Sequence, residues 1–416
     1  MSMNHRIGAA AQQLAAHGLL GALHDELGAP LAPEWEHALW AVPRHAFLPG
    51  TIWLADDLTP CTRASTPKTW LRAAYADAPV VTQINDGDDP GDEERWPSSS
   101  ASAPSIVFRM LDLLRLRPGH RVLEIGTGTG WNAGLLAHRL GAEQVTTIEV
   151  DTALAVQAAL ALKRAGLEPT VISGDGAAGY PAGAPYDRII ATCSVREVPP
   201  AWLRQTAPGG VILTPWETPW LCYGLLRLIV DGTGTASGWF SPHSAFMLMR
   251  GQRSDLRIYR DVVRDEHVPT ESVTRLSPWA VTGDDWAARF AIGLRTRDVW
   301  HTWHEDPGVE GVVSRLWLAT TDATSWAAVD RDGRGGERFT VWEYGPRRLW
   351  AEVEEAYGWW RRVGGPGPER FGMTVTPDGH HTPWLDFPDH PVPRGGGGPR
   401  GGGGPQGART QFPKPR

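Results

Sequence analysis

The 416-residue chain has three cysteines, no long apolar run and only a small charge excess. Cys61, Cys193 and Cys222 lie far apart and form no CxxC pair. That excludes a disulfide framework and a structural zinc site, leaving buried small apolar side chains as the reading. No window approaches the roughly 18–20 apolar residues needed to cross a bilayer. The opening MSMNHRIGAAAQQLAAHGLL lacks a sustained apolar core and a cleavage site, so it reads as the start of a helix, and the cytoplasm is the expected location. A net charge of −7 gives no reason to expect binding to nucleic acid or an anionic membrane. No repeat at a solenoid period is present. What is abundant is tryptophan: 21 residues, most of them after position 200. Tryptophan serves cores and peptide-binding grooves alike, and the core reading covers most of them.

Residues 1–50 read as helical, with Pro33–Ala41 a second segment that Pro33 can start. Residues 51–100 read as irregular, and the acidic NDGDDPGDEERW (Asn85–Trp96) reads as an exposed loop without an EF-hand pattern. Periodicity then becomes regular. It predicts helices at Ile106–Leu116, Trp131–Leu140 and Thr152–Ala165. The intervening strands fall at Arg121–Ile125, Gln144–Val150, Thr170–Ser173, Asp187–Thr192 and Gly210–Leu213. Strands alternating with helices of this length imply an α/β doubly wound sheet. A hairpin turning at Asp231–Gly234 follows. The expected division is an N-terminal helical segment and acidic loop (1–100), a catalytic core (101–253), an accessory unit (254–392) with a helix near Asp284–Arg295, and a disordered Gly/Pro/Arg tail (393–416).

The chemistry concentrates in Val122-Leu123-Glu124-Ile125-Gly126-Thr127-Gly128-Thr129-Gly130, with Glu149 nineteen residues after the last glycine. Glycines after a first strand let the backbone turn tightly against a ligand, and an acidic residue ending the second strand can accept from ribose hydroxyls. The spacing is GxGxG rather than GxGxxG, and Glu124 stands just before the turn. Both features suit S-adenosylmethionine (SAM), with its ammonium group and no pyrophosphate, better than a dinucleotide. Gly174-Asp175-Gly176 after the third strand can meet an adenine amino group or form a simple Asp-Gly turn. His301-x-x-His304-Glu305 does not have zincin spacing, and no metal is expected.

Further segments resemble the protein-L-isoaspartate O-methyltransferase family. Ala38–Pro49 resembles its AVPRHxFVP segment, Ala74–Gln83 its AYxDxALPI region, and Ser102–Pro104 its ISQP/ISAP motif. Gly174–Pro215 resembles its GDGxxG…APYD…VP…PGG block nearly throughout. The resemblance covers about residues 35–220 and implies a Rossmann-like SAM-dependent methyltransferase acting on aspartate or isoaspartate in a peptide or protein. It also implies site residues. Ser102 stands near the reacting carboxylate. Ser100, Ala101, Ala103, Glu124, Gly126, Thr127, Gly128, Gly130, Glu149, Val150, Asp175 and Gly176 surround the cofactor. Pro104, Ser105, Val195, Arg196 and Val198 border the substrate. Ser102 could alternatively cap the following helix.

The chain departs from the repair enzymes in its serine run before Ser102, in lacking the histidine that often follows the motif proline, in the acidic insertion, and in its long C-terminal extension. These departures resemble a divergent branch that tailors ribosomally made peptides (RiPP biosynthesis). That branch implies methylation of an ordinary aspartate and closure to an aspartimide, with isoaspartyl repair as the alternative.

Overall fold

A computed structural model describes residues 8–88, 91, 94–242, 244–333 and 338–395. Expectations for the first seven residues, part of the acidic stretch and the tail beyond 395 lie outside the described residues.

Every side chain of Val122–Ile125 is buried, as befits a strand covered by helices on both faces. It sits inside a nine-stranded sheet. From one edge the order is His381–Leu385, Phe371–Val375, Ala236–Ser241, Leu221–Val230, Thr206–Thr218, Tyr186–Ala191, Val122–Ile125, Val145–Glu149 and Thr170–Ser173. The last five are parallel, the first four antiparallel. The parallel half is the expected doubly wound sheet, with its crossover helices at Trp131–Leu140 and Thr152–Arg164. The Asp151 carboxylate caps the second of these by accepting from the amides of Ala153 and Leu154. Two apolar clusters cover the two faces, one including Leu123, Ile148 and Ile189, the other Val122, Val145 and Ile190.

Two expectations are corrected. Residues 51–100 are not irregular: Thr51–Leu54, Thr59–Thr62, Val80–Ile84 and Pro97–Ala101 form a four-stranded antiparallel sheet, and Pro67–Ala74 is a helix. These strands are four or five residues long and rich in Ser, Thr and Pro, too short to show a period of two. The boundary at 253/254 also divides the chain differently from its strands. Only Thr270–Thr274, Val299–Glu305, Ser314–Thr320, Trp326–Arg331 and Phe339–Tyr344 form a separate antiparallel sheet. Phe371–Val375 and His381–Leu385 return to the central sheet and cover the edge left by the hairpin. One face of the separate sheet (Leu316, Leu318, Val329, Val341) joins the same apolar cluster as Leu123 and Ile189, through helices Trp286–Arg295 and Leu349–Arg362. The extension thus shares a core with the central sheet.

His301 and His304 fall on opposite faces of strand Val299–Glu305. His301 packs edge-on against Trp220, and His304 lies tilted against Tyr259. The three cysteines are free. Among the described residues no helix is long and apolar enough to cross a membrane.

Trp384 is 1% exposed on the edge strand and closes over Gly372 across the pair. Trp384→Ala should cost about 3–5 kcal/mol of unfolding free energy, read as a fall in denaturant midpoint with the slope unchanged.

Candidate functional site

A cleft opens at the carboxyl ends of the parallel strands. Among the residues lining it are Ser98–Ser102, Glu124–Thr129, Glu149, Val150, Asp175 and Gly176. Gly126 and Gly128 have φ of 93° and 53°, the left-handed region in which a side chain is strained. A Cβ on Gly126 would stand 2.8 Å from Thr192 Oγ1, and one on Gly176 would collide with Ile125. Here the backbone itself is the wall, as a cradle for a ligand requires.

Glu124 is fully buried beneath this cradle. Thr147 Oγ1 donates to its Oε2 at 2.6 Å, and Asn132 Nδ2 to its Oε1 at 2.7 Å. Burial pushes its carboxyl up to about 7 against the pull of those two bonds, and the charge of Glu149 adds to the rise. Glu149 ends the neighbouring strand. Its Oε2 accepts from the Gly128 amide at 2.8 Å and its Oε1 from the Asp151 amide at 3.1 Å. Burial also pushes the thiol of Cys193, another residue lining the cleft, up to about 12, so it is no nucleophile at neutral pH.

The Ser98–Ser102 wall is held from behind. Arg44 is 0% exposed. Its Nη1 donates to the carbonyls of Ala74 and Ala76, each at 3.1 Å. Its Nη2 donates to those of Ala78, Ala101 and Ser102 at 3.1, 3.0 and 2.9 Å. Burial lowers its pKa to about 10, which leaves it charged at neutral pH. Asp77 Oδ1 then takes the Ser105 amide at 2.8 Å at the start of helix Pro104–Leu114. That helix is preceded by Ala103 with no side-chain cap, so Ser102 lines the cleft and is not the helix cap.

The remaining expected residues stand outside the cleft wall. Gly130 precedes helix Trp131–Leu140, where a Cβ would press on Ala158 at 3.2 Å. Pro104 and Ser105 are buried in the first turn of their helix, and Ala103 is the residue before it. Val195 and Val198 are 0% exposed core residues. Arg196 points to Glu217, with Nη2–Oε1 at 2.7 Å.

Other residues at the cleft or beneath it escaped the sequence reading. Thr147 carried a signal, a hydroxyl at a buried position of an apolar strand, and Asn132 another, a polar residue one step into the glycine-led helix. Phe246–Gly251 and Arg253 also line the cleft. Nothing local marks them, because they follow an ordinary hairpin.

The chain resembles known proteins. The family model for Protein-L-isoaspartate(D-aspartate) O-methyltransferase matches residues 58–220. A protein-L-isoaspartate O-methyltransferase of Methanosarcina mazei is 33% identical over 225 residues, covering 54% of this chain and 76% of the relative. Protein-L-isoaspartate O-methyltransferase 2 of a Polaromonas species is 34% identical over 230 residues, 55% of this chain and 93% of the relative. A solved protein-L-isoaspartate O-methyltransferase structure superposes with a TM-score of 0.51 at 21% identity, covering 89% of this chain and 100% of that one. It shares the fold.

Two outcomes follow. Arg44→Met leaves several buried carbonyls without a donor and should destabilise the protein by at least about 3 kcal/mol in denaturant unfolding. Burial pushes the folded Glu124 carboxyl from its ordinary value of 4.5 up to about 7, so the folded state holds the extra proton between the two. Wild-type stability therefore falls as pH rises through that interval and levels off above it. Glu124→Gln should match the wild type at pH 4.5 and exceed it by up to about 3 kcal/mol at pH 8, measured by unfolding at both values.

Proposed function

The chain belongs to the protein-L-isoaspartate O-methyltransferase family of SAM-dependent carboxyl methyltransferases, and on that premise we propose that it methylates the free carboxylate of isoaspartyl residues in peptides or proteins. The observation that carries this reading is the identity of about a third with relatives of that activity over most of their length, together with an intact glycine cradle flanked by Glu124 and Glu149.

The cleft fits SAM, which supplies an electrophilic sulfonium methyl when bound. The Gly126–Gly128 backbone can approach it closely. Glu149 can accept from ribose hydroxyls, Asp175 and Gly176 can meet the adenine, and Glu124 can balance the ammonium group. The acceptor carboxylate is already ionised at neutral pH and needs no strong base. No histidine lines the cleft among the described residues. Catalysis by the chain is then mainly positioning. Ser102, on the segment that Arg44 fixes, hydrogen-bonds the carboxylate and presents one oxygen in line with the methyl. The ester has a better leaving group than the acid, so the following backbone nitrogen can close a succinimide without further help from the protein.

A second reading, tailoring of an ordinary aspartate in a ribosomally made peptide to an aspartimide, draws on the acidic insertion. The extension does not separate the two readings, because the solved family structure spans 89% of this chain.

Intact-mass analysis of an isoaspartyl peptide and its aspartyl twin with SAM distinguishes them. Gain of one methyl on the isoaspartyl peptide alone supports the main reading, and gain on neither peptide overturns it. Ser102→Ala should lower kcat by about 10- to 100-fold, the scale of one lost positioning bond. SAM affinity should rise with pH from 5 to about 7 as Glu124 ionises, and Glu124→Gln should flatten that dependence in calorimetry.

A further inference from the structure

The cofactor wall of the cleft carries three carboxylates, Glu124, Glu149 and Asp175. An anionic acceptor entering it meets a repulsive surface. The opposing charges come from one short segment: among the described residues lining the cleft, Arg250 and Arg253 are the cations. Their surroundings assign them different work. Arg250 is spent on anchoring. Its Nη2 donates to Gln83 Oε1 at 3.0 Å and to Asp151 Oδ2 at 3.3 Å, and its Nε lies 3.0 Å from Asp86 Oδ1. Gln83 in turn joins Ser98 and Asp151. This network ties segment 246–253 to the serine wall.

Arg253 is engaged more loosely. Its Nε donates to Leu248 O at 3.2 Å, its Nη1 reaches both Asp86 oxygens at 3.2 and 3.3 Å, and its guanidinium lies over the Trp96 ring at 5.4 Å. Its side chain is 27% exposed and that of Asp86 36%. A pair so exposed contributes little net free energy, so one carboxylate can replace another on the guanidinium at small cost. Asp86 belongs to the acidic insertion and sits at φ 53°, a left-handed backbone conformation that aspartate tolerates. The charge of Arg253 also acts on the Cys193 thiol across the same cleft.

We infer that Arg253 binds the acceptor's carboxylate, and that Asp86 occupies the guanidinium as an internal carboxylate until the acceptor displaces it. This rests on the carboxyl-methyltransferase reading and adds a residue that selects for the acid. Flat Trp96 beneath the guanidinium leaves its edge open for a planar, two-pronged carboxylate contact.

The test compares full-length wild type with Arg253→Ala, Arg253→Lys and Asp86→Asn. With an isoaspartyl peptide, Arg253→Ala should raise KM about tenfold or more while kcat stays within about threefold, and Arg253→Lys should recover part of the loss. Asp86→Asn should move KM the other way, down by about two- to fivefold, because the competing carboxylate is gone. SAM affinity should be unchanged in the two Arg253 variants. An unchanged KM in Arg253→Ala, or a loss confined to SAM affinity, overturns the inference. A second measurement is independent of turnover. With S-adenosylhomocysteine bound, calorimetry should show wild type preferring the acid peptide over the corresponding carboxamide by about tenfold, and Arg253→Ala losing that preference. Absence of methyl transfer to any acid peptide would sink the proposed reaction, and equal binding of acid and amide by wild type would sink the role of Arg253.

Discussion

One buried guanidinium organises the catalytic half of this protein. Arg44 donates to five backbone carbonyls from two distant stretches, 74–78 and 101–102. The two Nη groups of a planar guanidinium, with four N–H donors fixed in one plane, suit that task, and a lysine's single point of charge does not. Burying such a group costs heavily unless its hydrogens find acceptors, so the contact holds both stretches to narrow positions. Through it the N-terminal sheet meets the cleft: Ser102, whose carbonyl Arg44 holds, presents its side chain to the site, and Asp77 fixes the helix that follows.

The cofactor side rests on the opposite strategy. Glu124 has two hydrogen-bond donors but no cation in the described structure, and burial raises its carboxyl to about 7. A group held in that condition gains most from a positively charged ligand. On the proposed reading, stability of the ligand-free chain and affinity for an ammonium-bearing cofactor oppose each other at this one residue, as expected when binding chemistry is built at the expense of folding energy. Glu149 is different. It is satisfied by amides of the glycine turn and of Asp151, so it stabilises the turn.

The C-terminal extension is woven into the core. Its last two strands complete the central sheet, and one face of its own sheet packs into the cluster that holds the parallel strands. Segment 246–253, where the extension begins, supplies the cations of the cleft. The cleft is therefore completed by residues distant in sequence from the glycine motif.

The parallel half of the sheet was legible in the sequence because its signals are local: an apolar run, a glycine turn, and a helix start, repeated. Trp131–Leu140 and Thr170–Ser173 fall where the periodicity places them. That Glu124, Gly126, Gly128 and Glu149 stand together at the cleft was legible for the same reason, since the glycine turn and the strand ends are encoded within a few residues. The four short strands between 51 and 101 were not, because short polar strands have too few alternations to read. Arg44 read only as part of a resemblance, and its work depends on carbonyls 30 to 58 positions away. Val195, Val198 and Ser105 matched a family pattern yet serve the core, because a motif records neighbourhood and not which way a side chain points. By itself, then, the sequence determined the family, the cofactor cradle and the chemistry open to it. Tertiary structure alone decided that Arg253 meets Asp86 and that the extension closes the sheet. Those outcomes depend on long-range packing, and no local pattern of residues carries that information.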